Sequence, residues 1–587
     1  MAPLLAPGMS DLFSRVATLQ SQGRLADALQ LLFDATALEI VSGTDSRPAL
    51  EMLLSILKTV VLHTVDARTR TTLVQLCRDE TLDVQPIARA VLGVIAASPA
   101  FVQLAALADA SDEPELDAVE PALQALCADP LVQATLTRML VPEPRAERVL
   151  RLARRALLAR LSAGDTVAPW QWDAVTLVSA SAWHGEYVWD AESDELAFVE
   201  AAADHLEQWM QTLGDGSHAA EPPPSAVLLL YVMYRHLGTL PSWRRLASVP
   251  PTAWDPSLAE ACRGVVARHV KERLDEEAAA AGLSSFGFSA DVVSQRVRTQ
   301  YEHHPYPRWT TCPVGAQTTV ARFISNLTGR PRVPDSTRLL IAGCGTGRQA
   351  VHTARSFPDA EVTAFDLSRS SLGYAVMQTR RLGIPSIRYL QGDLLTFDPE
   401  VLPEPVPDFA FISCSGVLHH LADPMAGWRR LLASLHPLGI MKIGLYSTLA
   451  RSGVQAAREV LAPHHLGTDD AAVRLARRFL LALPAGHPAR SVLESPDFYS
   501  LGGCRDFVMH VQERTYTIPE LAAALEALEL RFLGFQVPDT VISQFRSQFP
   551  APSALRELEA WDHFERANPL TFFGMYQFWC EPLGRSV

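Results

Sequence analysis

The sequence predicts an α/β core built on a doubly wound sheet, preceded by a large all-α N-terminal region and followed by a smaller α+β C-terminal domain. Three observations lead there. Apolar residues recur three and four apart from Met9 to about Gln211, as in Leu53, Ile56, Leu57, Val60 and Val61, which is the period of a helix with one buried face. Beyond residue 335 the period changes to short apolar runs that end in glycine or an acid, as buried parallel strands do where they feed helices. The length, 587 residues, exceeds one ordinary domain and suggests three or four.

Taken in order, residues 1–110 read as a helical domain and 111–212 as a second one, with the acidic stretch Asp109 to Glu120 as the break between them. Gly23 to Leu29 is similar to one helix of a tetratricopeptide unit, but no second copy follows at a fixed period. Residues 213–225 read as a linker, because Gly, Asp, His and three consecutive prolines interrupt any helix. Residues 226–334 read as a further helical segment, Ala226 to Ala281, and an aromatic connector or lid. In that connector Asp291 is placed to cap a helix carrying Val293, Val297 and Tyr301, which runs into the proline-stiffened stretch Tyr301 to Trp309. Residues 335–447 form the core, and 448–587 read as a helical insertion with an acceptor-side domain. Within that last part, Arg505 to Glu513 alternates like a strand, with Phe507, Met509 and Val511 towards the core.

The core opens on the apolar run Arg338 to Ala342, followed directly by Gly343-Cys344-Gly345-Thr346-Gly347. A glycine-rich turn from strand to helix lets a ligand approach the backbone and aims the helix amides at it. A second strand, Glu361 to Asp366, ends in a carboxylate placed to bind both hydroxyls of a ribose, with Leu367 next to it. A third, Ile387 to Asp393, again ends in an acid and leads to Leu394. Phe409 to Cys414 supplies a fourth strand, followed by Ser415 to Leu421, and Ile440 to Tyr446 a fifth. A nicotinamide site would want glycine where Arg348 stands.

The G-x-G-x-G turn and the ordered acids resemble a Rossmann-like class I methyltransferase. The resemblance implies S-adenosylmethionine (SAM) as cofactor, held by Ala342, Gly343, Cys344, Gly345, Gly347, Asp366, Leu367, Asp393, Leu394 and Ser415, with Tyr301 and Trp309 closing over it. It gives Asp393 the adenine amino group as partner. Further segments, Glu186 to Trp189, Tyr301 to Trp309, Phe498 to Glu513 and Gly574 to Trp579, resemble a bacterial group of these enzymes fused to N-terminal helical, often tetratricopeptide, regions. The chain is similar in this respect to the rickettsial protein-lysine methyltransferases of outer-membrane proteins. It departs from that pattern at His304 and at His184-Gly185.

Methyl transfer is an in-line displacement, so positioning supplies much of the catalysis. Tyr306, His419 and His420 are the candidate catalytic residues at the sulfonium end. No H-E-x-x-H or grouped Cys/His set suggests a metal. Strand four ends in Ser413-Cys414-Ser415-Gly416, not the Asn/Asp-Pro-Pro-Tyr loop used on planar nitrogens, and the net charge of -14 argues against nucleic acid. The expected acceptor is a protein side chain, lysine first, with a small-molecule O- or N-acceptor and a non-catalytic SAM-binding scaffold as alternatives. The large helical portion favours a macromolecular partner, with homodimerisation as its other reading. Eight scattered cysteines without a C-x-x-C pair point to a reducing compartment. Met1 to Gln20 lacks a basic n-region before an apolar run, and the longest apolar run, Ala226 to Tyr234, is far below the ~20 residues of a spanning helix. The expected location is cytoplasmic, without membrane insertion.

Overall fold

A computed structural model describes residues 9–584 apart from 43–46, 111–114, 163–166, 214–220, 314–315, 385–386, 401 and 403–407. Much of the expected linker and the centre of the acidic break therefore lie outside the described residues. The chain divides into two compact units. One comprises Met1–Lys271 with Asp469–Arg477 and Leu493–Leu501, and the other Glu272–Thr468, Arg478–Val492 and Gly502–Val587.

The first unit is helical, from Met9–Ser21 through Ser193–Thr212. Four of its helices, Pro99–Ala108, Pro130–Arg138, Pro144–Ser162 and Pro169–His184, open on proline, whose fixed φ suits the first turn and whose missing N–H costs nothing there. Two buried ion pairs stitch the unit: Arg154 with Glu195 at 3.3 Å, and Arg477 with Glu147 at 2.5 Å. The expected long helix after the linker is shorter than its sequence suggests. An α-helix spans only Ser225–Tyr231, because Gly238, Pro241, Pro250 and Pro251 break the next stretch into turns and 3-10 segments before Ala259–Val266. Among the described residues no single helix is long and apolar enough to cross a membrane.

The second unit is built on an eight-stranded sheet. Its strands are β1 (Ser284–Gly287), β2 (Arg338–Ala342), β3 (Glu361–Asp366), β4 (Ile387–Gly392), β5 (Phe409–Ser415), β6 (Leu435–Leu445), β7 (Leu530–Phe535) and β8 (Tyr576–Pro582). The order is β1-β4-β3-β2-β5-β6-β8-β7, parallel except where β8 runs against β6 and β7. Both faces are covered. Leu340, Ala342, Phe365, Ile412, Met441 and Ile443 pack on one side, and Leu339, Ile341, Val362, Ala364, Phe411 and Ile440 on the other. That two-sided burial is why these strands read as unbroken apolar runs.

The reading of Arg505 to Glu513 as a strand is corrected. Leu501–Met509 is an α-helix, and His510 follows its end. Cys504, Phe507 and Val508 are buried together, a spacing of three and four, whereas Met509 and Val511 are only half-buried. Nine residues are too few for periodicity alone to separate 2.0 from 3.6, and packing against the core decided.

Candidate active site

The strand order reverses between β2 and β5, and in open α/β sheets a ligand crevice forms at such a switch point. A cavity of about 770 Å³ lies there. The turn after β2 forms one edge. Gly343, Gly345 and Gly347 all have positive φ, at 68°, 51° and 84°. A Cβ at Gly343 would stand 2.1 Å from the Val417 side chain, and one at Gly347 2.5 Å from that of Ala375. These two glycines are set by packing, while Gly345 faces the cavity.

Asp366, at the end of β3, accepts hydrogen bonds from the Gly345 amide at 2.7 Å and the Ser368 amide at 2.9 Å. Burial raises its carboxyl above the ordinary range, and those two amides oppose the shift. Asp393 follows β4 and accepts from the Leu395 amide at 2.9 Å and from the Ser289 hydroxyl. Both acids, with Leu367, Leu394 and Ser415, line the cavity.

Tyr301, Tyr306 and His420 line it as well, together with residues the sequence reading passed over: Asp506, Tyr446, Lys442, Gln349 and His352. Tyr301 donates its hydroxyl to Asp506 at 2.5 Å. The phenol is held well above its ordinary pKa, mainly by burial and then by the Asp506 charge. Asp506 lies in the last turn of the helix Leu501–Met509, and His510 directly follows its end.

Ala342, Gly347, Trp309 and His419 stand off the cavity wall. Ala342 ends β2 beneath the turn, and Gly347 caps the helix Arg348–Ser356. Trp309 is buried behind the turn, its indole N–H donating to the Thr346 carbonyl at 2.9 Å and its own carbonyl accepting from Gln378 at 2.7 Å. It anchors the connector to the glycine turn, and Tyr301 and Tyr306 are the aromatics of that stretch that reach the cavity. His419 is fully buried against Tyr446, ring centroids 4.0 Å apart, and neither ring nitrogen has a hydrogen-bond partner among the described residues.

Ring nitrogens of His420 and His510 and a carboxylate oxygen of Asp506 lie within 4.8 Å of one another. Their hydrogen bonds fix their protons. His420 Nδ1 faces the Gln512 carbonyl at 2.7 Å; a carbonyl only accepts, so Nδ1 carries the hydrogen and Nε2 keeps its lone pair. His510 Nδ1 accepts the Gln512 amide at 3.0 Å, so its hydrogen sits on Nε2, towards Tyr301 and Asp506. A metal would need the Nε2 lone pair of both rings, and the His510 tautomer denies one of them. The two rings also stack face to face, centroids 3.7 Å apart, so their in-plane lone pairs do not converge.

Burial holds His420 down to about 4 and His510 to about 2, and His419 well below its ordinary value. The unfolded chain takes up these protons near pH 6.5, so folding stability should fall as pH drops from about 6.5 towards 4. Thermal melts between pH 7.5 and 4.5 check this; a midpoint that stays level across the window would contradict the buried neutral assignment.

Residues 339–439 match a protein-family profile described as "Methyltransferase domain". The core is a class I, SAM-dependent methyltransferase domain. A Synechococcus protein described only as uncharacterized is 31% identical to the chain over 281 residues, 44% of this chain and 64% of that protein. The trans-aconitate 2-methyltransferase of Variovorax paradoxus is 29% identical over 122 residues, 21% of this chain and 43% of that enzyme. The chain thus spans less than two thirds of the length of these curated relatives. Among solved structures, PKMT2 from Rickettsia typhi in complex with AdoHcy is similar at 15% identity and a TM-score of 0.36, over 47% of this chain and 55% of that one. In the methyltransferase domain the donor set fits SAM: a glycine turn that admits a ligand at Gly345, and two strand-end carboxylates, Asp366 half-buried and Asp393 buried, lining one cavity.

Proposed function

We propose that the protein transfers the methyl group of SAM to a protein side-chain amine, lysine first. In this reading Asp366 receives the ribose hydroxyls, Asp393 the adenine amino group, and Gly343, Gly345 and Ser415 flank the methionyl portion. The observation that carries the acceptor class is the pair formed by Asp506 and His420. Both line the cavity, and a carboxylate oxygen and a ring nitrogen of the two lie within 4.8 Å. A neutral amine has two N–H donors and one lone pair. Two acceptors that each take one N–H from a tetrahedral nitrogen at hydrogen-bond distance stand about 4.7 Å apart. The Asp506 oxygen and the His420 ring nitrogen lie within 4.8 Å of each other, close enough for one amine to reach both, which would leave its lone pair for the methyl carbon.

The amine first loses a proton to solvent, and desolvation in the cavity favours its neutral form. The C–N bond then forms as the C–S bond breaks. The product ammonium carries the positive charge that left sulfur, next to the Asp506 carboxylate, and S-adenosylhomocysteine departs neutral at sulfur. Tyr301 orients Asp506 through its hydroxyl, and Tyr306 walls the reaction centre. Rates should climb with pH as the acceptor deprotonates.

Asp506→Asn should keep S-adenosylhomocysteine affinity within about twofold and cut turnover at least 100-fold, because it loses the charge opposite the nascent ammonium. The measurement that tests the acceptor is the fate of isotopically labelled methyl in a cell extract supplied with the protein. Label in protein, recovered as methyl-lysine by mass spectrometry, supports the reading. Label confined to the low-molecular-weight fraction overturns it in favour of a small-molecule acceptor.

A further inference from the structure

We propose that Lys442 anchors an anion-binding subsite in the wall of the cofactor cavity, built to receive a carboxylate or phosphate of a bound ligand. This subsite does not depend on the identity of the methyl acceptor.

Lys442 sits in β6, paired with Ser413 of β5 on one side and Trp579 of β8 on the other. Its neighbours Met441 and Ile443 belong to one core face, and Ile440 to the opposite one. Strand alternation therefore puts Lys442 on the Ile440 face, under the helix Arg348–Ser356. An apolar residue is the default there. The strip carries polar groups instead: Gln349 donates its side-chain amide to the Ser413 hydroxyl at 2.5 Å, and Gln349, His352, Arg348 and Lys442 all line the cavity.

Nothing among the described residues neutralises this lysine. Its ammonium makes no hydrogen bond or ion pair with any of them, and it lies over the Trp579 ring, 5.8 Å from Nζ to centroid. Burial alone lowers Lys442 to about 8, and no carboxylate offsets the shift. A second cation stands on this side of the cavity: after burial, Lys442 and then Arg348 depress His352. Lys442 is half-buried, lines the cavity and has no ion-pair partner, so an anion entering the cavity would complement its charge. Near neutral pH most of the lysine is still charged, so the subsite selects an anion.

Two ligands could bring it: the methionyl carboxylate of the cofactor, or an acidic group on the acceptor. Calorimetry on the full chain separates them, with Lys442→Met as the neutral variant and Lys442→Arg as the charge-preserving one. If the anion is the cofactor's, Lys442→Met should weaken S-adenosylhomocysteine at least tenfold. That tenfold loss is the scale of one charge-assisted hydrogen bond, and 5′-methylthioadenosine, which lacks the amino-acid carboxylate, should stay within about twofold. If the anion is the acceptor's, both nucleosides should bind the variant normally. Inorganic phosphate should then bind the S-adenosylhomocysteine-loaded wild type and the arginine variant, but not Lys442→Met. The unliganded Lys442→Met protein should melt no lower than wild type, since it has lost a half-buried charge that makes no ion pair. Unchanged binding of both nucleosides, with phosphate either ignored by the wild type or bound equally by the variant, would overturn the subsite.

Discussion

Gly345→Val should abolish binding of SAM and of S-adenosylhomocysteine while leaving the protein folded. Gly345 has a φ of 51°, a left-handed conformation that costs a branched side chain about 1–2 kcal/mol. Its missing Cβ would meet the Tyr306 carbonyl at 3.4 Å, so the backbone has room for a first carbon. The branches beyond it project into the cavity, where the methionyl portion of the ligand must approach the main chain. Calorimetry should show a loss of at least 100-fold for both ligands, with Gly345→Ala between wild type and Val. Near-normal affinity of the Val variant would place the cofactor elsewhere. Gly347 would give no such clean test, because a side chain there strikes Ala375 and disturbs the packing itself.

Asp366→Ala should lower S-adenosylhomocysteine affinity at least tenfold and also lower thermal stability. The carboxylate has two tasks. It holds the Gly345 and Ser368 amides, and in the proposed complex it accepts the ribose hydroxyls. Buried donors left without a partner cost about 1–3 kcal/mol each, so the glycine turn should loosen even without ligand. Asp366→Asn keeps one acceptor oxygen and should fall between. The wild type should show a pH signature too. Burial raises the Asp366 carboxyl, and hydroxyl donors favour its ionised form, so affinity should rise with pH through that raised value and level off above it. Affinity that is unchanged in Asp366→Ala would sink the assignment of this residue to the ribose.

The sequence determined the methyltransferase domain because the features that mark it are local. A strand buried on both faces must be an apolar run, as in Leu339 to Ala342. A turn that admits a ligand and starts a helix needs glycine, and an acid one strand later needs only to end its own strand. Spacing therefore places Gly343 to Gly347, Asp366 and Asp393 at strand ends, the resemblance supplies their cofactor roles, and the structure brings Asp366 and Asp393 to one cavity. What only the tertiary structure decided is everything that depends on partners distant in the chain. β7 and β8 complete the sheet from about a hundred residues beyond β6 and carry mixed polarity, since they pair antiparallel at its margin. Trp309 and His419 carry side chains suited to a site, yet they turn into packing, and side-chain type does not encode that direction. Asp506 and Lys442 reach the cavity because a helix of ambiguous period folds against the core and because β6 is flanked by β5 and β8. Pattern along the chain reports burial and local geometry; which charged groups share one desolvated space is settled by long-range packing.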